Sequence, residues 1–270
     1  MELFQAFILG MIQGVTEFVP VSSSGHLILF PWFFKWQDPG LAFDVFLHLG
    51  TLIALFIYFF KELWAIAVGG IQSVIERRVG YEPDRLLFWW IVIGTIPAAV
   101  MGVLFNDYAE TVFRNPLLIA MTLSFVGFLI YWVDGQYPAL RRLEELRLFD
   151  VLWIGVAQSV ALIPGVSRSG ATMGMGRLLG FSRDAAAKFS FLLCTPIILG
   201  AVVTKIKPLI EQSGQGVDWK FFAVGLTSSF FFGILSIHFM LRYLRNSSLA
   251  IFTWYRIALA VLIVLLSLVR

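Results

Sequence analysis

The chain has 270 residues, of which 59% are hydrophobic and only 14% charged, and its formal net charge is +3. A soluble domain carries about 25% charged residues. With a mean hydropathy of +0.85, there is more apolar surface here than an aqueous core can use, so the solvent must be lipid. The small basic excess reads as a topology signal and not as a nucleic-acid surface. A single cysteine, Cys194, excludes an intrachain disulfide.

The opening Met1-Glu2-Leu3 lacks a basic region, and no small-residue cleavage site closes the apolar stretch behind it, so it does not read as a cleaved signal. Residues 3–34 are apolar but broken by Val19-Pro20-Val21-Ser22-Ser23-Ser24-Gly25, which a helix cannot cross smoothly. Three stretches that approach the ~20 residues of a spanning helix follow, at roughly 43–60, 88–105 and 117–133. Residues 152–180 return to the first pattern, again interrupted by Pro, Gly and Ser. Three more spans are predicted at roughly 189–204, 221–241 and 249–269. The flanks of each broken region are too short to span alone, so each predicts a re-entrant helix–loop–helix covered by protein or water.

The two broken regions are copies. At an offset of 145 positions, Leu3, Phe4, Gly10, Gln13, Val15, Val21, Ser22, Ser24 and Gly25 match Leu148, Phe149, Gly155, Gln158, Val160, Val166, Ser167, Ser169 and Gly170. Gly94 and Gly102 match Gly225 and Gly233 after a shortened loop. The chain is therefore read as one membrane domain, 1–270, made of pseudo-repeats 1–135 and 146–270. Each holds one re-entrant element and three spans, so the second repeat enters from the opposite face. The predicted fold is an all-α polytopic membrane protein with an inverted-topology repeat, whose two loops meet near the bilayer midplane.

Lys61, Arg77, Arg78, Arg85, Arg141, Arg142, Arg147, Arg183, Lys188, Arg242 and Arg245 fall on one side of this topology. Lys35, Arg114, Lys205, Lys207, Lys220 and Arg270 fall on the other. The heavier side should be cytoplasmic, which places both termini outside.

The first loop offers Gln13, Glu17, Ser22, Ser23, Ser24 and His26. Gln13 and Glu17 are four apart and share a helix face. Ser23 and His26 are three apart at the start of the next segment, spaced as a hydroxyl and its activating base. The second loop offers Ser167, Arg168, Ser169 and Thr172. An arginine in mid-membrane costs about 2.5–3.5 kcal/mol or more, and its planar fork suits a phosphate. Hydroxyls and helix N-terminal amides would add donors. A structural reading stands beside each: Ser and Gly serve helix packing, Glu17 neutralises Arg168, and Arg256 in the last span pairs structurally. Asp44 and His48, four apart, are supporting or interfacial residues.

Gln13-Gly14-Val15-Thr16-Glu17-Phe18-Val19-Pro20-Val21-Ser22-Ser23-Ser24-Gly25-His26 and Pro164-Gly165-Val166-Ser167-Arg168-Ser169-Gly170-Ala171-Thr172 resemble the two signatures of the bacterial undecaprenyl-diphosphate phosphatase family, the bacitracin-resistance type. The similarity runs along essentially the whole chain. One variation is Gln13, where many members carry Glu. The resemblance implies a phosphatase of the bacterial inner (plasma) membrane. It would release the terminal phosphate of undecaprenyl diphosphate with the help of a divalent cation, Mg2+ or Ca2+, and regenerate the carrier lipid for cell-wall synthesis. It also implies Ser23 as nucleophile, with His26, Glu17 and Arg168 as partners. Ser22, Ser24, Ser167, Ser169 and Thr172 are then expected on the phosphates, and Glu17 with Gln13 on the metal. A homodimer is compatible with this reading. The rival expectation is a transporter or flippase of a phosphorylated lipid or small anion, since broken helices meeting at mid-membrane are also a transporter device.

Overall fold

A computed structural model of the chain describes residues 2–105, 114–136, 140–211 and 218–269, with the backbone alone over 205–211. Among the described residues there are eleven α-helices and no strand. In chain order they are α1 (Leu3–Phe18), α2 (Ser23–Phe34), α3 (Leu41–Tyr58), α4 (Phe60–Ile75), α5 (Pro83–Leu104) and α6 (Pro116–Gln136), then α7 (Leu148–Val160), α8 (Arg168–Leu178), α9 (Arg183–Glu211), α10 (Trp219–Tyr243) and α11 (Ala250–Val269). Six of these, α3, α5, α6, α9, α10 and α11, are long and apolar enough to cross a membrane. They are the six spans expected from the sequence, and the chain is a multi-pass membrane protein.

Two differences have simple causes. Helix α5 starts at Pro83, ahead of the apolar window, because proline suits the first helical turn and Asp84 sits well in it. Helix α4 was not expected. Its apolar residues are interrupted by Gly69, Gly70 and Ser73, which pack inward, so no long apolar window forms. Of the basic residues used for orientation, Arg270 lies outside the described residues, as do the side chains of Lys205 and Lys207.

Helices α1 and α7, too short to span, each cross a long helix from the other half of the chain. Gly10 of α1 lies against the backbone of Gly225 in α10, and Gly155 of α7 lies against that of Gly94 in α5. A Cβ on Gly155 would fall 2.6 Å from the Gly94 carbonyl oxygen. Only glycine lets the backbones approach this closely, which is how helices without a hydrophobic driving force gain packing in lipid. Ser228 and Ser236 on α10 reinforce the first crossing by donating to the carbonyls of Phe7 and Val15, each at 2.8 Å. Further from the loops, buried Asp134 at the end of α6 accepts from Arg177 and Arg183, both at 2.8 Å, and caps α11 through the Leu249 amide at 2.9 Å. This compensates charges that would otherwise be costly to bury.

Candidate active site

Both helix breaks are built the same way. Ser22 and Ser167, matched at the 145-residue offset, have φ of 73° and 72°, a region that disfavours side chains. Each caps the helix that follows: Ser22 Oγ accepts from the Gly25 amide at 3.3 Å, and Ser167 Oγ from the Gly170 amide at 3.0 Å. The N-termini of α2 and α8 are thereby defined, and their positive ends favour an anion.

The loops are then tied to one another. Ser22 Oγ also accepts from the Gly165 amide at 2.9 Å, and Ser169 donates to the Val19 carbonyl at 3.0 Å. Thr122 of α6 donates to the Pro164 carbonyl at 2.7 Å. Arg256 of α11, 0% exposed, sits between the loops. Its guanidinium donates to the carbonyls of Pro20 at 3.0 Å, Gly165 at 2.7 Å, Val166 at 3.1 Å and Leu123 at 3.0 Å. The bonds to Pro20, Gly165 and Val166 satisfy carbonyls that the helix breaks leave open, and the bond to Leu123 ties the side chain to α6. Arg256 is thus structural, as expected, and its partners are backbone oxygens.

At this junction Glu17, 5% exposed, collects four side chains. Its Oε2 accepts from the Ser23 hydroxyl at 2.5 Å and from Gln13 Nε2 at 3.0 Å. His48 Nε2 lies 3.5 Å from the same oxygen, and Arg168 Nη2 donates to Oε1. So a hydroxyl and a carboxylate from the first loop meet a guanidinium from the second. The other guanidinium N–H groups of Arg168 make no hydrogen bond among the described residues, and its side chain keeps 16% exposure. The site therefore holds a serine whose proton already points at a carboxylate, beside donors open to an anion.

Several hydrogen-bond partners differ from those the spacing suggests. Ser23 and His26 do share α2, but they are not hydrogen-bonded to each other. His26 Nδ1 faces the Ser22 carbonyl at 2.7 Å and must carry a proton there, since a carbonyl only accepts. In the neutral ring, Nε2 then accepts from the Tyr255 hydroxyl at 2.7 Å. Both nitrogens of His26 are thus engaged, and the carboxylate hydrogen-bonded to Ser23 is that of Glu17. The hydroxyls of Ser22, Ser167 and Ser169 serve the caps and the loop-to-loop bonds described above. Thr172 donates to the Arg168 carbonyl at 2.8 Å and bonds Ser190 of α9 at 2.6 Å. These four are buried and occupied, whereas Ser24 is half-buried and its hydroxyl bonds only that of Ser22, at 3.4 Å, among the described residues. The expected neutralisation of Arg168 by Glu17 is realised.

Two residues enter the cluster that the loop motifs do not contain. His48 comes from α3; its Nδ1 is fixed on the Asp44 carbonyl at 2.6 Å, which turns Nε2 toward Glu17. The only signal for it was the Asp44–His48 spacing. Asp44 itself pairs with Arg114 at 3.0 Å. Tyr255 carried no signal, being one aromatic residue in an apolar span.

For a hard cation, the donors present are the Glu17 carboxylate and Gln13 Oε1, a buried oxygen with no hydrogen-bond partner. Among the described residues, no group of three His, Cys, Asp or Glu side chains converges. That set suits a cation which also takes substrate phosphate oxygens, the usual arrangement for Mg2+, and does not suit an all-protein cage.

Compared with known families, residues 6–262 match the model described as Bacitracin resistance protein BacA. The chain belongs to that family. Among curated relatives in the family, the undecaprenyl-diphosphatase of Pelotomaculum thermopropionicum is 47% identical over 270 residues, covering 100% of this chain and 98% of the relative. That of Moorella thermoacetica is 48% identical over 264 residues, 98% of this chain and 97% of the relative. That of Caldicellulosiruptor bescii is 45% identical over 272 residues, 100% of this chain and 99% of the relative.

Proposed function

We propose that this protein is an undecaprenyl-diphosphatase of the bacterial plasma membrane. It hydrolyses undecaprenyl diphosphate to undecaprenyl phosphate and inorganic phosphate, which returns the carrier lipid to cell-wall synthesis and confers bacitracin resistance. The activity is supported by family membership and the named relatives. The chemistry is supported by one observation above all, the Ser23 hydroxyl donating at 2.5 Å to Glu17 next to Arg168.

The diphosphate enters between the N-termini of α2 and α8, and the prenyl chain stays in lipid among the helices. Arg168 and Ser24 take oxygens of the terminal phosphate. Ser22, Ser167, Ser169 and Thr172 act on it indirectly, by holding the amide-bearing turns in place. Ser23 Oγ attacks the terminal phosphorus in line while Glu17 takes its proton, a base within direct reach. The bond from phosphorus to the bridging oxygen breaks, and undecaprenyl phosphate leaves with that electron pair. Water then attacks the phosphoserine, Glu17 returns its proton to Ser23, hydrogenphosphate departs and one proton passes to water. Positioning and charge stabilisation supply most of the rate in such transfers. A Mg2+ or Ca2+ ion held by Glu17 and Gln13 would add charge stabilisation on the phosphates.

The two helix pairs α1–α2 and α7–α8 are taken as re-entrant elements of an inverted repeat, with the more basic side cytoplasmic and both termini outside. The twin glycine crossings, Gly10 on Gly225 and Gly155 on Gly94, favour that reading, since the sequence offsets pair Gly10 with Gly155 and Gly94 with Gly225. The test of function is phosphate release from undecaprenyl diphosphate by purified protein in detergent, with and without chelator. Release without any membrane gradient is expected. Binding without release would replace the hydrolase by the transporter reading. A phosphoserine trapped at Ser23 is expected from acid quench, and full activity in Ser23→Ala would eliminate the covalent step.

A further inference from the structure

Buried polar atoms with no partner are rare, and each calls for a ligand, a water or a cost. Among the described residues, membrane-embedded Gln158 is 3% exposed and neither its amide nitrogen nor its amide oxygen is hydrogen-bonded. The sequence offset explains why. Gln158 matches Gln13, whose amide donates to Glu17 one turn on. The residue matching Glu17 is Leu162, which offers nothing.

Gln158 stands nine residues before the capping Ser167, as Gln13 stands nine before Ser22. Both lie on the buried faces of helices that cross their partners through matched glycines. Gln13 reaches the loop junction through Glu17, so Gln158 approaches the same junction from the other half. A second orphan stands on α9: Thr195 is buried and its hydroxyl has no partner among the described residues. Helix α9 packs on α8 through Ser190 and Thr172, and its Phe191 packs edge-on against Phe18, the neighbour of Glu17, with ring centroids 5.2 Å apart.

We infer that Gln158 and Thr195 are further substrate-binding residues, which donate to phosphate oxygens of the diphosphate at the loop junction. This rests on the reading of the junction as a diphosphate site and extends it to a wall that the loop motifs do not contain. The amide N–H groups and the hydroxyl, unpaired within the protein, are then satisfied by an anion rich in acceptors.

The test is Gln158→Leu and Thr195→Val, each near-isosteric. Kinetics of phosphate release from undecaprenyl diphosphate are measured beside thermal unfolding without substrate and with inorganic pyrophosphate. The expected result is a loss of about 10- to 100-fold in kcat/KM for Gln158→Leu, as for a hydrogen bond to a charged group. Thr195→Val should lose less. Unfolding without substrate should be unchanged or should shift upward, because an orphaned polar group has been removed, and stabilisation by pyrophosphate should shrink. A merely structural role moves the other way, with unfolding temperature falling together with activity, and that overturns the inference. So does an unchanged kcat/KM in Gln158→Leu, the result expected if the amide holds only a buried water. If wild-type protein is stabilised by pyrophosphate but releases no phosphate, the hydrolase reading fails. In that case loss of the pyrophosphate shift in Gln158→Leu still supports the inference.

Discussion

Replacing Glu17 by glutamine changes one oxygen to an amide nitrogen at the point where four side chains meet. Two effects of opposite sign follow. The carboxylate that accepts the Ser23 proton at 2.5 Å is gone, and a positioned general base contributes about 10²–10⁴-fold to rate. Phosphate release should therefore fall by about 10³-fold in kcat. At the same time Arg168 loses its anionic partner and is left to pair with a phosphate. A hydrogen bond to a charged group contributes about 1.5–3 kcal/mol, so affinity for pyrophosphate should rise by roughly tenfold. The assay is phosphate release from undecaprenyl diphosphate in micelles. It is paired with the thermal shift induced by pyrophosphate in chelator, where a cation bound to Glu17 does not enter the comparison. Activity within tenfold of wild type would show that Glu17 is not the base. Pyrophosphate affinity falling in step with kcat would show that Glu17 holds the site together and does not compete for Arg168.

Four other outcomes are expected. Ser23→Ala should lose at least about 10³-fold in kcat while still binding pyrophosphate, checked by single-turnover release and thermal shift. Arg168→Lys should lose about 10²-fold in kcat/KM, because a point charge cannot both pair with Glu17 and reach a phosphate as the planar fork does; near-normal turnover would contradict the clamp. Tyr255→Phe removes the donor to His26 Nε2 and should lower stability by about 1 kcal/mol with less than a tenfold effect on kcat, since His26 holds the loop and does not touch Ser23. Gly155→Leu should destabilise the fold by about 1–3 kcal/mol or more by pushing α7 away from Gly94, seen as a drop in unfolding temperature in detergent.

Much of this architecture was legible in the chain. Lipid imposes long apolar helices and makes an interior arginine or glutamate expensive. The six spans, the breaks at Pro20 and Pro164-Gly165 and the pairing of Glu17 with Arg168 followed from those costs. The repeat supplied the rest of the outline, since Gly10 and Gly155 turn out to make the same kind of close crossing. Spacing rules also worked inside a helix: Gln13 does reach Glu17, four residues on.

They failed wherever the partner lies across a break or on another helix. Ser23 and His26 are correctly spaced on α2, yet Ser23 turns back across the break to Glu17, and His26 bonds a tyrosine 229 positions away. The serines and threonine of the two signatures were legible as polar groups, but their partners were not. Three of those hydroxyls, on Ser22, Ser167 and Ser169, are used to cap helices and join the loops, since carbonyls and amides freed at a break inside a membrane have no water to turn to. By itself, then, the sequence determined which residues had to be kept from lipid and that two polar loops would share one place. Only the tertiary structure decided which of them touch. Packing α3 and α11 around the junction brings in His48, Tyr255 and Arg256, whose polar atoms find their partners on other elements.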